Sequence, residues 1–200
     1  MATLLTPTTE LEAVNVCLAN IGESPVSTIT GDVTVDAALA RDLVRQVTRE
    51  VQAHGFYWNT ELNYTLIPNT SKNLVLPANI LSVDTTGDDK TKDLVARGRL
   101  LYDRVNHTYK FDDPVTVDMV VALSFDELPE MARRLITIRS ARMYQERIMG
   151  SGAVSAFNSA DEDYARAALL AENMEVEDNN VLSGNVAVAG ILSRFAFYRG

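Results

Sequence analysis

Two histidines, one cysteine and 27 carboxylates are the side chains through which this 200-residue chain could do chemistry. His54 falls where a helix is expected to end, and His107 lies in the polar turn Val105-Asn106-His107-Thr108. Neither belongs to a His-x-x-x-His or His-Glu-x-x-His pair, the spacings that put two imidazoles on one helical face, so no metal site is expected. Cys17 has no partner in the chain, which excludes an internal disulfide and a thiolate cluster; it reads as a small buried apolar residue. No Gly-x-Ser-x-Gly elbow occurs. Gly150-Ser151-Gly152 is too short for a phosphate loop, lacks the following lysine and reads as a turn between helices. Paired carboxylates could hydrolyse a glycosidic bond, but with 27 acids chance pairs are everywhere, and Asp112-Asp113 before Pro114 reads as a turn. No catalytic residue and no cofactor is expected. A polysaccharide-degrading activity stands as the alternative, with no residue pair to carry it.

Charge says more. The net charge is −9, which argues against tight nucleic-acid binding, because that needs clustered cations to release phosphate counterions. The charge is unevenly spread: residues 127–149 carry +2 and residues 150–178 carry −6. Arg41, Arg45 and Arg49 recur every four residues on one helix. Arg133, Arg134, Arg139, Arg142 and Arg147 load a second, and Asp161, Glu162 and Asp163 open an acidic third. Like charges four apart on a helix repel unless acids face them. One reading is a set of solvated faces. The other is a subunit with a basic edge (Arg41, Arg45, Arg49, Arg133, Arg134, Arg139) and an acidic edge (Asp161, Glu162, Asp163), able to close head-to-tail into a ring. The last residues, Arg194, Phe195, Phe197, Tyr198 and Arg199, are of the types that anchor interfaces.

These residues must be positioned by an α+β fold. Thr9-Glu10-Leu11-Glu12 fits a capping box, and Leu11, Val14, Leu18 and Ile21 form an apolar face ended by Gly22. A second helix is expected over about 35–54, with Leu39, Leu43, Val47 and Val51 inward. From Asn59 to Phe125 the period shortens to two. Leu62, Tyr64 and Leu66 alternate with polar residues, and Val115, Val117, Met119, Val121, Leu123 and Phe125 share one face of the clearest strand. Further strands are expected at 73–76, 80–85, 94–97 and 100–103, the last two joined tightly at Gly98. Acidic residues with Pro129 start a third helix that Gly150 ends. A fourth runs over about 154–176, with Phe157, Ala160, Tyr164, Ala168 and Ala171 inward. A β block between two helix pairs is most simply an insertion. The expected architecture is a four-helix bundle (1–58 and 127–178) with an inserted antiparallel β domain (59–126) and an extended C-terminal arm (179–200). No apolar run approaches the ~20 residues of a membrane helix, and the first seven residues lack the basic segment of a secretory leader.

Four ordered blocks carry a resemblance. They are Ile21-Gly22-Glu23-Ser24-Pro25-Val26-Ser27-Thr28, with Gly31-Asp32 and Asp36-Ala37-Ala38 after it; Gln52-Ala53-His54-Gly55-Phe56-Tyr57-Trp58-Asn59-Thr60-Glu61; Leu101-Tyr102-Asp103-Arg104; and Asp126-Glu127-Leu128-Pro129-Glu130 followed by Arg142-x-x-Gln145-x-Arg147-x-x-Gly150. Over roughly residues 9–178 they resemble the tail tubular protein A family of T7-like short-tailed phages, whose second block reads Gln-x-x-Gly-Trp-x-Phe-Asn-x-Glu. The resemblance implies a structural head-to-tail adaptor. It implies a dodecameric ring between the portal protein and the nozzle, built of tail tubular protein B, with tail fibre protein seated nearby. Genomic DNA would pass through the channel without sequence-specific binding. It implies a virion location and no membrane partner. The arm at Arg194, Phe195, Phe197, Tyr198 and Arg199 would dock on the portal.

Overall fold

The computed structural model describes residues 6–150 and 157–184, with side chains as far as Val176. The expected arm residues Arg194, Phe195, Phe197, Tyr198 and Arg199 lie outside the described residues, as does the Ser151-Gly152 part of the expected turn. Four helices, α1 (Glu10–Asn20), α2 (Val35–Gln52), α3 (Glu130–Met149) and α4 (Ser159–Gly184), are interrupted after α2 by five strands: β1 (Thr60–Leu66), β2 (Ile80–Thr85), β3 (Leu94–Arg97), β4 (Leu100–Asp103) and β5 (Val115–Val121). The chain is therefore mixed helix and antiparallel sheet.

Each helix begins and ends on its local chemistry. The Thr9 hydroxyl accepts from the Glu12 amide, and the Glu12 carboxylate accepts from the Thr9 amide, closing the capping box at α1. At the other end the Gly22 amide donates to Ala19 and the Glu23 amide to Leu18, with Gly22 at φ 82°. That left-handed geometry is strained for any residue with a Cβ. α3 packs against α1, α2 and α4, and α1 against α2. Together they enclose a core of Val14, Cys17, Leu18, Leu43, Val44, Val47, Leu135, Ile136, Ile138, Tyr144, Ala165 and Leu169. Burial pushes the Cys17 thiol up to about 12, so it stays protonated and inert.

Leu39 is half exposed rather than buried. The inward stripe of α2 is Ala37, Ala40, Leu43, Val44, Val47 and Val51, because close packing on α1 and α3 selects small residues that a count of large ones misses. α4 also turns differently from its expected stripe. Ala165 and Leu169 are buried with Glu162, while Tyr164 is 73% exposed.

β5 is the centre of a three-stranded sheet in the order β1-β5-β2, and β3 and β4 form a separate antiparallel hairpin. Val115, Val117 and Met119 face a second core with Leu66, Leu74, Leu76, Leu94 and Leu101. Two expectations fail at strand level. Residues 73–76 make only one isolated bridge, Val75 to Leu100. In β1, Leu62 and Tyr64 are exposed: the register shift between Glu61 and Tyr64, with Asn63 at φ 54°, takes Leu62 out of the alternation, while Tyr64, opposite Val117, sits on an edge strand. A bulge adds one residue and breaks the alternation that period two assumes. β5 ends at Val121; beyond it Leu123 and Phe125 join the helical core.

Two buried amides join the helices to the sheet. Gln52, at the last turn of α2, donates from Nε2 to the Leu123 carbonyl (3.0 Å) and accepts the Leu123 amide at Oε1 (2.8 Å). Asn59 donates from Nδ2 to the carbonyls of Gln52 (2.9 Å) and Val121 (3.0 Å), and its Oδ1 accepts from the Phe56 amide. Between them Gly55, at φ 73°, turns the chain where a Cβ would stand 3.0 Å from Val120. The Gln, Gly and Asn of the second sequence block are therefore structural. Asn59→Ala would take a hydrogen bond from the Val121 carbonyl and from the Phe56 amide in a buried site, and leave the Gln52 carbonyl with the Gly55 amide alone; a loss of roughly 2–4 kcal/mol is expected, read as a lowered urea midpoint.

A second lock holds the loop after β2. The Asp89 carboxylate takes the Lys92 ammonium (2.7 Å) and the Thr116 amide (2.7 Å). Both lower its pKa from the ordinary 3.8, the Lys92 contact most. The unfolded chain thus binds this proton more readily than the folded one. The stabilisation is complete above 3.8 and is lost as pH falls through the folded value. Acid unfolding of Asp89→Asn should therefore be shallower than wild type below that pH, from a lower starting stability.

Candidate functional site

The charged residues marked out in the sequence are mostly engaged within the chain. Glu162 on α4 is 5% exposed and meets three arginines: Arg142 (2.7 Å), Arg166 (2.8 Å) and Arg139 (3.8 Å). Arg139 also reaches Glu50 of α2 (3.3 Å), and Arg142 reaches Glu146 (2.6 Å). Three cations and three carboxylates thus form a neutral network that ties α4 and α2 to α3. The Glu162 hydrogen bond, with the nearby charges of Glu162 and Glu146, raises the pKa of Arg142 further. A guanidinium held this way does not exchange protons near neutral pH.

Arg133 is almost wholly buried, and its guanidinium donates to three carbonyls: Leu128 (2.7 Å), Thr8 (2.8 Å) and Asp126 (2.5 Å). It pins the N-terminal segment and the turn before α3 to the helix. Arg45 pairs with Glu10 of α1 (2.6 Å), and Arg41 donates to the Ile29 carbonyl (3.0 Å) and to Asp42. Asp161 exchanges amide bonds with Asn158 at the start of α4. Of the nine residues expected on the two edges, Arg49, Arg134 and Asp163 are exposed and make no ion pair among the described residues.

Two cavities flank α3. One, of about 230 Å³, has a floor of Val51, Phe56, Leu135, Leu169 and Leu170 and a rim of Glu50, His54, Arg139 and Arg166. Phe56 stacks on Trp58 at 5.2 Å and 7°. The other, of about 340 Å³, lies between α1 and α3 and holds two carboxylates, Glu12 and Glu130, beside Arg134. Both carboxylates serve as acceptors at helix starts, Glu12 from the Thr9 amide (2.7 Å) and Glu130 from the Thr8 amide (2.9 Å) and hydroxyl (2.7 Å). Glycoside cleavage needs one carboxyl kept protonated by an environment that raises its pKa. Hydrogen bonds instead hold the carboxyls of Asp89, Asp103 and Glu127 below the ordinary range. Nothing among the described residues favours the polysaccharide-degrading alternative.

The described residues thus offer two cavities, an ion-pair network around Glu162 and a few exposed unpaired charges. Sequence reading missed Gln52 and Asn59, whose signal was polar residues at positions where the helix and strand patterns hand over to one another. Glu162→Ala is expected to cost about 1–3 kcal/mol, since it leaves three partly solvated arginines without their shared carboxylate; the thermal midpoint measures it, and Glu162→Gln should recover part of the loss.

The sequence model of the tail tubular protein family matches residues 11–179. The chain is also 29% identical, over 156 residues, to "Tail tubular protein A" of Klebsiella phage KP34, an alignment that covers 78% of this chain and 82% of that one.

Proposed function

The chain belongs to the tail tubular protein family and is a structural component of a phage tail; on that premise we propose that it is the head-to-tail adaptor. Twelve copies form a ring beneath the portal protein, joined below to the nozzle of tail tubular protein B, with tail fibre protein seated at its side. Genomic DNA passes through the ring on ejection. Residues 1–58 and 127–178 form one four-helix bundle that holds the ring, residues 59–126 are an inserted β domain that projects towards the distal tail, and the arm from 179 onward, with Arg194, Phe195, Phe197, Tyr198 and Arg199, grips the portal. Arg49, Arg134 and Asp163 lie at subunit contacts. Arg41, Arg45, Arg133, Arg139, Asp161 and Glu162 support those contacts by holding the helices that present them.

The observation that carries the reading is the extent of the family match. Residues 11–179 run through all four helices and both sheets, so the likeness belongs to the whole architecture and not to a single module. The net charge of −9 agrees with it, since an acidic wall repels phosphate and lets DNA slide. No helix among the described residues is long and apolar enough to cross a membrane.

Heads that carry portal protein but lack this chain provide the test, by cosedimentation and negative-stain imaging. The full chain should add a ring of density at the portal vertex. A chain ending at Gly184, the last described residue, should keep its circular dichroism and thermal midpoint yet lose head binding, because it lacks Arg194, Phe195, Phe197, Tyr198 and Arg199. Normal binding by the shortened chain would remove the arm from the reading. Failure of the full chain to bind would refute the adaptor.

A further inference from the structure

Helix α4 is apolar on two opposite faces. Its inner face carries Ala165 and Leu169 into the core. Its outer face carries Ala160, Tyr164, Ala167, Ala171 and Met174, all exposed, at a repeating four-three spacing with no charged residue in the row. Tyr164 and Met174 are 73% and 62% exposed, and Leu170 beside them is 48% exposed. A helix packed on one side of a core normally turns a polar face outward, and a contiguous apolar row on the surface marks a contact. At 1.5 Å per residue the row runs about 21 Å, long enough for a helix–helix seam. It is flanked by Asp163 and Glu175, exposed carboxylates without an ion pair among the described residues.

The outer face of α2 repeats the same spacing over the same length: Val35, Leu39, Asp42, Gln46 and Arg49. Val35 is 74% exposed and Leu39 49%, so this row is apolar at one end, and it ends in an arginine with no ion pair among the described residues. The two rows lie on separate helices that both pack on α3.

We propose that the outer face of α4 in one copy packs against the outer face of α2 in a second copy, with Arg49 of one meeting Asp163 or Glu175 of the other. This rests on the ring reading and names the surfaces that would make it. The charges select the pairing. Two α4 faces brought together would set unpaired carboxylates against each other, which like-charge repulsion penalises. α4 against α2 sets them near an unpaired cation. It does so in either helix direction: parallel pairing places Arg49 by Glu175, and antiparallel pairing places it by Asp163, with Val35 and Leu39 on the alanine-lined row in both. A contact between two different faces is heterologous and can continue from copy to copy until a ring closes. It also explains why Leu39 and Tyr164, which the helical period assigns to a buried stripe, lie outside the core of a single chain.

Sedimentation velocity on the full-length protein tests this. Leu39→Glu breaks the α2 face and Ala167→Glu the α4 face. Both sites are exposed, so circular dichroism and thermal midpoint should match wild type. Wild type should self-associate, and each variant alone should sediment as monomer. An equimolar mixture of the two should form dimers and nothing larger, because only one intact pair of faces remains. Arg49→Glu should weaken association, and combination with Asp163→Arg or Glu175→Arg should restore it. The proposal is overturned if either single variant assembles like wild type, if the mixture stays monomeric, or if wild type is monomeric throughout. It is also overturned if removing residues 185–200 abolishes association while both face variants keep it, which would assign self-association to the C-terminal segment. Head binding separates the two readings: variants that assemble normally on heads refute this contact and leave the adaptor standing, whereas a wild-type chain that ignores heads removes the adaptor.

Discussion

Gln52 and Asn59 are wholly buried amides that exchange hydrogen bonds with the backbone at residues 56, 121 and 123. A buried peptide group without a partner costs about as much as a small protein can spare, so the end of α2 and the end of β5 can approach in only one arrangement. Gln52 presents a donor and an acceptor to Leu123 as a neighbouring strand would. Asn59 closes the turn around Gly55 and holds Val121. The helical core and the sheet core are separate apolar clusters, and this polar joint sets how one is carried on the other.

α3 plays the corresponding part among the helices. It touches α1, α2 and α4, and each contact has a polar clamp beside its apolar core. Arg133 holds the N-terminal segment, Asn20 donates from α1 to the Ala141 carbonyl, Tyr144 donates to the Asp36 carbonyl at the start of α2, and Arg139 and Arg142 hold Glu162 of α4. Arginine suits this use because its planar fork satisfies several acceptors at once and its charge does not titrate. Most of the chain's conspicuous arginines therefore fix its own shape, and Arg49 and Arg134 are left exposed without an ion pair among the described residues.

A tail component works by shape and fit. Its scaffold must stay rigid while its surfaces stay adhesive, and the chain separates the two tasks by helix face. Inner faces carry the core and the Glu162 network. Outer faces of α2 and α4 carry exposed apolar rows with a few unpaired charges.

Local chemistry determined the elements. The Thr9–Glu12 capping box, the left-handed glycines at 22, 98 and 150, and the alternation of β5 all depend on neighbours in the chain, and each stands where the sequence places it. The resemblance to tail tubular proteins was legible for the same reason, and the family match over residues 11–179 bears it out. Which apolar face of α4 turns inward was not legible, because Ala160–Tyr164–Ala171 and Glu162–Ala165–Leu169 both satisfy a helical period; only Arg139 and Arg142, more than twenty positions away from Leu169 along the chain, select the second by pairing with Glu162. Likewise the bulge that takes Leu62 out of the alternation exists only against β5, and the roles of Gln52 and Asn59 exist only once Leu123 and Val121 lie beside them. Helix period and turn chemistry act over a few residues, whereas burial and ion pairing are decided between segments, so the tertiary structure alone assigns each charge to a network within the chain or to its exposed surface.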